Sequence, residues 1–246
     1  MSRRRSTVLA TIIVLILAGV SIALIHDDTR NALLSRLRGD RTVGDVLATY
    51  GPAARERLAP AFEAASVPYP PERILFAGIK DEAILEVWAA GPGQDLRWIA
   101  TYPVLAASGQ AGPKLREGDR QVPEGIYRII GLNPNSAFHL SMKLDYPNEF
   151  DLEQARREGR ENLGGDIFIH GRDASIGCLA MGDPVIEELF VLTADVGIEN
   201  ATVVIAPSDP RVAPLVADIE GAPDWLPGLY EKITEAFQPL AGDGQL

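Results

Sequence analysis

The only cysteine and one of three histidines stand eight positions apart in the run Ile167-Phe-Ile-His170-Gly-Arg-Asp-Ala-Ser175-Ile-Gly177-Cys178-Leu-Ala-Met181-Gly-Asp183. A thiol is a weak nucleophile at neutral pH and a thiolate a strong one. An imidazole beside it takes the proton and forms an ion pair. Gly171 and Gly177 keep the neighbourhood uncrowded. Gly177 also lets the backbone approach a substrate, and the amides beside Cys178 can stabilise an oxyanion. A third group must hold the imidazole; Asp173 and a backbone carbonyl near Ser175 both qualify. The chemistry implied is acyl transfer through a thioester. The same spacing also fits a buried cysteine acting as a small hydrophobe and a satisfied strand-end histidine. A zinc site ranks lower: Cys178, His170 and His139 supply at most three soft ligands, and no C-x-x-C or H-x-x-x-H pattern exists. No metal or cofactor is expected.

These residues need a scaffold. The β-rich run Asp166 to His170 reads as a strand that ends on the imidazole. Upstream, Ile74 to Ile79, Ala83 to Ala90, Arg97 to Val104, Gly125 to Ile130 and Ala137 to Leu144 read as strands, with Gly/Pro and Lys80-Asp81 punctuation. The last of these places His139 in mid-strand. Gly109 to Pro123 is a polar loop. Glu149 to Glu161 reads as a charged helix. Asp183-Pro184 reads as N-cap and first position of a helix running to about Val196. Ala201 to Ala206 reads as a buried strand and Pro223 to Phe237 as an amphipathic helix. Many strands with a few helices inserted late predict an α+β domain, built as a β-sandwich or partial barrel. No repeat or low-complexity tract is visible.

Ahead of this domain, residues 26–71 read as a helical connector. Leu33, Leu34 and Leu37 have helical spacing, Val46, Leu47 and Tyr50 continue after Gly39-Asp40, and Leu58, Ala61, Phe62 and Ala65 form a second stripe. Pro68, Pro70 and Pro71 close it. Residues 1–25 hold Arg3, Arg4 and Arg5 followed by the uncharged run Thr7 to Ile25. That run is long enough for a helix to cross a bilayer. The arginines then stay cytoplasmic and the remainder lies outside. The alternative is a cleaved signal peptide, but Ala23-Leu-Ile-His26-Asp-Asp is a poor cleavage site, so an uncleaved anchor is favoured. A 246-residue chain that is 46% hydrophobic can bury one good-sized core. Its net charge of −11 argues against nucleic acid as a partner. One cysteine permits no internal disulfide, and nothing in the sequence sets an oligomeric state.

His170-Gly171 upstream of Ser175-Ile-Gly177-Cys178, with Pro123-Glu-Gly125-Ile-Tyr127 earlier, resembles the L,D-transpeptidase catalytic-domain (YkuD-like) family of bacterial envelopes. The resemblance runs from about Ile74 to about Ser208. Two departures stand out: the family usually has a longer stretch between His and Cys, and a His where Ile176 stands. The short form, with Gly112-Pro-Lys-Leu-Arg-Glu-Gly-Asp119 and Phe138-His-Leu-Ser141, resembles a YafK-like branch that includes amidases acting at the diaminopimelate of peptidoglycan. The resemblance implies an L,D-transpeptidase-like catalytic domain over residues 72–246, with Cys178 as nucleophile and His170 as base. It further implies a carbonyl at Ser175 orienting the imidazole, and amides of Gly177 and Cys178 as the oxyanion hole. Arg172 is a candidate for a substrate carboxylate, since guanidinium suits bidentate recognition; a solvated loop arginine is the alternative. Gly171 and His139 are further substrate-side candidates, with a core histidine as the other reading of His139. The function expected is a membrane-anchored, periplasm-facing cysteine acyltransferase on peptidoglycan stem peptides. An amidase of the same fold and a non-catalytic wall-binding module are the alternatives.

Overall fold

The structure, a computed structural model, describes residues 39–175 and 177–240. The apolar run at 7–25 and the Leu33–Leu37 stripe lie outside them. Among the described residues no helix is long and apolar enough to cross a membrane. The described residues from Thr42 onward form one compact unit.

Its frame is one eight-stranded mixed sheet that curls into a half-barrel. The strands are β1 (Arg73–Ile79), β2 (Ile84–Ala90), β3 (Arg97–Pro103), β4 (Gly125–Asn133), β5 (Ser141–Leu144), β6 (Phe168–His170), β7 (Leu179–Ala180) and β8 (Ala201–Ala206). Their order across the sheet is β3-β2-β1-β8-β4-β5-β6-β7. Of the two architectures open to the sequence, the single curled sheet is the one formed.

Four helices are described: α1 (Val43–Ala64), α2 (Glu149–Glu158), α3 (Asp183–Val196) and α4 (Leu226–Phe237). The sheet centre explains its own composition. β1 pairs antiparallel with β2 and parallel with β8. Alternate residues serve two different cores: Ile74 and Phe76 join Val203 and Ile205 in one, while Ala77 and Ile79 join Val204 and Ala206 in the other. A strand covered on both faces must be apolar throughout, which is why these runs show no alternation. The first core also takes Leu58 and Phe62 of α1 and Ile186, Leu189 and Phe190 of α3. The second takes Leu226, Leu229, Tyr230, Ile233 and Phe237 of α4.

α1 replaces the two separate stripes expected in the connector with one continuous helix through Pro52 and Pro60. Thr42 and Asp45 close a capping box at its start, with the Asp45 amide donating to Thr42 Oγ1 at 3.1 Å. Arg55 then makes a bidentate pair with Asp195 of α3, both contacts at 2.7 Å, and Tyr69 donates to the same carboxylate at 2.7 Å. The helix is thereby a wall of this unit.

Three boundaries differ from the sequence expectation near the histidine: β6 begins at Phe168 and not at Asp166, which takes φ +55. β5 begins at Ser141 and not at Ala137, because His139 takes φ +72, a left-handed conformation that breaks a strand. His139 therefore lies in the turn before β5. The N-cap of α3 is Gly182, and Asp183 occupies the first turn.

The polar loop between β3 and β4 folds across the free edge of β7. The Leu105 amide donates to the Ala180 carbonyl at 2.8 Å, and the Ala180 amide donates to Ala106 at 3.0 Å. A buried cation anchors this loop from below. Lys80 Nζ donates to the carbonyls of Gln110, Gly112 and Val122 at 2.6, 3.2 and 3.2 Å, and to Glu124 Oε1 at 2.8 Å. Glu124, only 1% exposed, also accepts from the Gly112 amide and the Tyr230 hydroxyl, each at 2.8 Å. Loop and α4 are thus tied to one carboxylate.

Candidate active site

His170 closes β6, and β5 and β7 flank it: Ser141 is its register partner on one side and Ala180 on the other. β6 and β7 run parallel, with Ile169 opposite Leu179. Cys178 immediately precedes β7. Adjacent strands lie ~4.8 Å apart and rise ~3.3 Å per residue, so the Cα atoms of Cys178 and His170 are roughly 8 Å apart, within reach of the two side chains. The core faces of these strands carry Met142, Ile169 and Leu179, which fixes the register: a one-residue slip would turn those side chains out of the core.

The imidazole is 3% exposed. Its Nδ1 lies 2.6 Å from the Gly171 carbonyl oxygen. A carbonyl can only accept, so Nδ1 carries the proton, and the neutral ring presents Nε2 as a lone pair. The carbonyl in question is that of Gly171, where the family resemblance had placed the orienting carbonyl at Ser175. Burial pushes the His170 pKa below its ordinary value, against a smaller upward pull from the Gly171 carbonyl. The shift favours the neutral ring, the state a general base requires. Gly171 is a steric requirement: a Cβ there would lie 2.7 Å from both the Phe138 carbonyl and Asp183 Oδ1.

Cys178 is partly buried. Its Sγ donates at 3.7 Å to the carbonyl of Asp166, two residues before β6. Among the described residues no hydrogen bond joins this thiol to His170. Burial raises the thiol pKa, and the nearby Asp166 charge adds to the rise, while the Phe168 amide and the Lys114 cation pull it back. Burial thus favours the neutral form of each group, the uncharged thiol and the uncharged imidazole.

The amides beside the sulfur are both occupied. Cys178 N–H donates to Ser175 Oγ at 3.0 Å, and the Ser175 hydroxyl in turn donates to the Cys178 carbonyl at 2.7 Å. Gly177 N–H donates to Ser108 Oγ at 2.8 Å, and that hydroxyl donates to the Arg120 carbonyl at 2.6 Å. Ser175 braces the nucleophile's own backbone, and Ser108 reaches it from the loop.

Four non-glycine residues with positive φ cluster here: Arg120 (+57), His139 (+72), Asp166 (+55) and Arg172 (+60). Such backbone costs about 1–3 kcal/mol per residue and concentrates at functional sites. One of them meets the pair directly, and the others hold its surroundings. The Arg120 carbonyl takes Ser108, the Asp166 carbonyl takes the thiol, and the Arg172 amide donates to Asp183 Oδ1 at 2.8 Å. His139 Nε2 lies 2.9 Å from Glu187 Oε1, and the ring stands edge-on to Tyr50.

The structure therefore gathers His170, Gly171, Ser175, Gly177 and Cys178. Arg172 is in the turn after His170, and His139 is held against α3 and α1. Sequence reasoning missed Ser108 and the Asp166 carbonyl, which act from a loop and through backbone and leave no side-chain signature. Among the described residues no group of three or more His, Cys, Asp or Glu is arranged to hold a metal ion.

The sequence pattern of the L,D-transpeptidase catalytic domain, YkuD, matches residues 77–205, more than half of the chain. The chain belongs to the L,D-transpeptidase catalytic-domain family. The match contains β1 from Ala77, the anchored loop, the His–Cys segment and β8 to Ile205. YafK of Escherichia coli strain K12 is 34% identical over 113 residues, covering 45% of this chain and 43% of YafK. This match thus spans less than half of that relative's length. Among solved structures, the helical cell shape determining protein Pgp2 of Campylobacter jejuni aligns with TM-score 0.45 and 23% identity, over 56% of this chain and 48% of Pgp2. Bd1075 of Bdellovibrio bacteriovorus aligns with TM-score 0.41 and 23% identity, over 56% of this chain and 49% of Bd1075. L,D-transpeptidase 1 of Mycobacterium tuberculosis aligns with TM-score 0.32 and 12% identity, over 55% and 62% of the two chains.

Proposed function

We propose that the protein is a cysteine acyltransferase of the L,D-transpeptidase type acting on diaminopimelate-containing stem peptides of peptidoglycan. The observation that carries this reading is the Nδ1 contact to Gly171, which leaves Nε2 of a neutral imidazole as the base within reach of the only cysteine. The thiol turns from the Asp166 carbonyl to Nε2 and gives up its proton. Sγ attacks the donor's amide carbon, and the oxyanion takes the place of Ser108 Oγ on the Gly177 amide. The C–N bond breaks, and the leaving amine carries off the proton held on Nε2. An acceptor amine then attacks the thioester and gives a proton to Nε2, the C–S bond breaks, and Nε2 passes that proton to the sulfur, restoring the thiol. Arg172 is assigned to the donor's carboxylate.

The test is incubation of the full chain with muropeptides, read by mass spectrometry. New cross-links support transfer. Shortened or protein-free stems without cross-links replace transfer with hydrolysis by the same thioester. Cys178→Ala should abolish either activity; a fully active alanine variant ends the thiol mechanism. We further propose that the run Thr7 to Ile25 anchors the protein in the inner membrane with the catalytic unit in the periplasm, on the strength of its lack of charge and the three arginines before it. Recovery of the full chain in the soluble periplasmic fraction would remove the anchor.

A further inference from the structure

One exposed aromatic lies directly on the candidate base. The Phe138 ring packs on the His170 imidazole with centroids 4.5 Å apart and planes at 37°. Phe138 is 40% exposed, so the first core does not account for its position. The backbone around it is built to hold it there. The next residue, His139, takes φ +72 and is secured by Glu187 Oε1 at 2.9 Å and by the edge of Tyr50. The Phe138 amide donates to Ser136 Oγ at 3.1 Å, and the Leu140 amide donates to the Phe138 carbonyl at 3.0 Å. On the far side, Gly171 lacks the Cβ that would strike the Phe138 carbonyl.

Resting on the reading of His170 as the base, we propose that Phe138 is a positioning residue that clamps the imidazole between its ring and the Gly171 carbonyl, and that the strained His139 turn exists to present it. The Gly171 bond fixes one ring nitrogen, but rotation about that bond stays open. An aromatic face on the ring stops this rotation, so Nε2 keeps one direction. The same face excludes water from the ring and disfavours the imidazolium. The surrounding charges are otherwise engaged. Lys143 and the Asp166 carboxylate pair at 2.6 Å, Glu187 meets His139 and Arg57, Asp183 accepts from the Arg172 backbone amide, and the Cys178 thiol rests on the Asp166 backbone carbonyl. Burial is accordingly the leading influence on the His170 proton.

The experiment is an NMR titration of the histidine ring protons in the full chain, beside kcat/KM against pH. With only His26, His139 and His170 to assign, the His170 resonance is identified by substitution. Phe138→Ala should move the His170 titration upward by about half a pH unit or more. It should also lower kcat/KM about tenfold near neutral pH, mainly through kcat, because the base is both more protonated and misaligned. Phe138→Tyr should restore both values. Phe138→Leu, which keeps apolar bulk without the flat face, should keep most of the titration but not the rate, and it serves if the alanine variant folds poorly. A folded Phe138→Ala protein with an unmoved His170 titration overturns the proposal. Activity persisting in Cys178→Ala, with the titration shifted by Phe138→Ala, would instead sink the thioester reading and leave the clamp standing.

Discussion

Two polar centres lie under and beside the same loop, and they are built on opposite plans. Around Lys80 and Glu124 every charge is buried and answered: three carbonyls and a carboxylate take the ammonium, while an amide, a hydroxyl and that ammonium take the carboxylate. Around Cys178 the groups are held by partners a substrate can replace. These are a long thiol contact to Asp166, two backbone amides resting on serine hydroxyls, and an imidazole nitrogen left as a lone pair. A closed buried network has one low-energy arrangement and so specifies position. A site must instead keep groups available for bonds formed only during reaction. The first centre makes the loop a fixed wall, and the second uses that wall to place Ser108.

This contrast is open to test. Lys80→Met should have the largest effect on the fold, because it leaves the buried Glu124 carboxylate with an amide and a hydroxyl but no counter-charge. Breaking one side of a buried pair costs about 3–5 kcal/mol, to be read from denaturant unfolding. A loss below about 1 kcal/mol would mean the network is ornamental.

An intermediate effect should appear at the thiol. Its pKa is raised by burial, so less thiolate is present at neutral pH than for a free cysteine. Iodoacetamide should therefore modify Cys178 at least about threefold more slowly than free cysteine at pH 7, with the rate still climbing near pH 9. A thiolate ion-paired with the imidazole would instead be alkylated below the ordinary thiol pKa of about 8.5. A plateau below pH 8 would show that a thiolate–imidazolium pair forms at rest after all.

The smallest effect should come from Ser108→Ala. It removes the acceptor from the Gly177 amide, a net bond of about 1 kcal/mol, so acylation should quicken roughly fivefold or less. Unchanged or slower acylation would make Ser108 a pin for the turn, and the two centres would then be alike.

Much of the frame was legible in the sequence because it depends on local pattern. Ala201 to Ala206 is a strand with the bounds its apolar run suggests, and β1 to β3 fall within a residue of their punctuation. The helix starts at Glu149 as its sequence suggests, but it stops at Gly159, where φ +64 suits glycine, and not at Glu161. α1 was harder. Its two stripes were visible separately, and packing against α3 carries one helix through Pro52 between them. The start of β5 was missed for a related reason: the turn at His139 is held by Glu187, forty-eight residues away in sequence.

The sequence alone supplied the chemical types and their order: a histidine at a strand end, small residues in the turn, one sulfur beyond it. It also supplied enough pattern to recognise the family. Tertiary structure decided which carbonyl fixes the imidazole tautomer, what the thiol rests against, and which hydroxyl from sixty-nine residues upstream sits on the Gly177 amide. The division has a physical cause. Periodicity and turn chemistry are written in neighbouring residues. Hydrogen-bond partners and pKa values depend on distance, burial and charge in space, and these exist only once the sheet has curled and the loop is anchored across it.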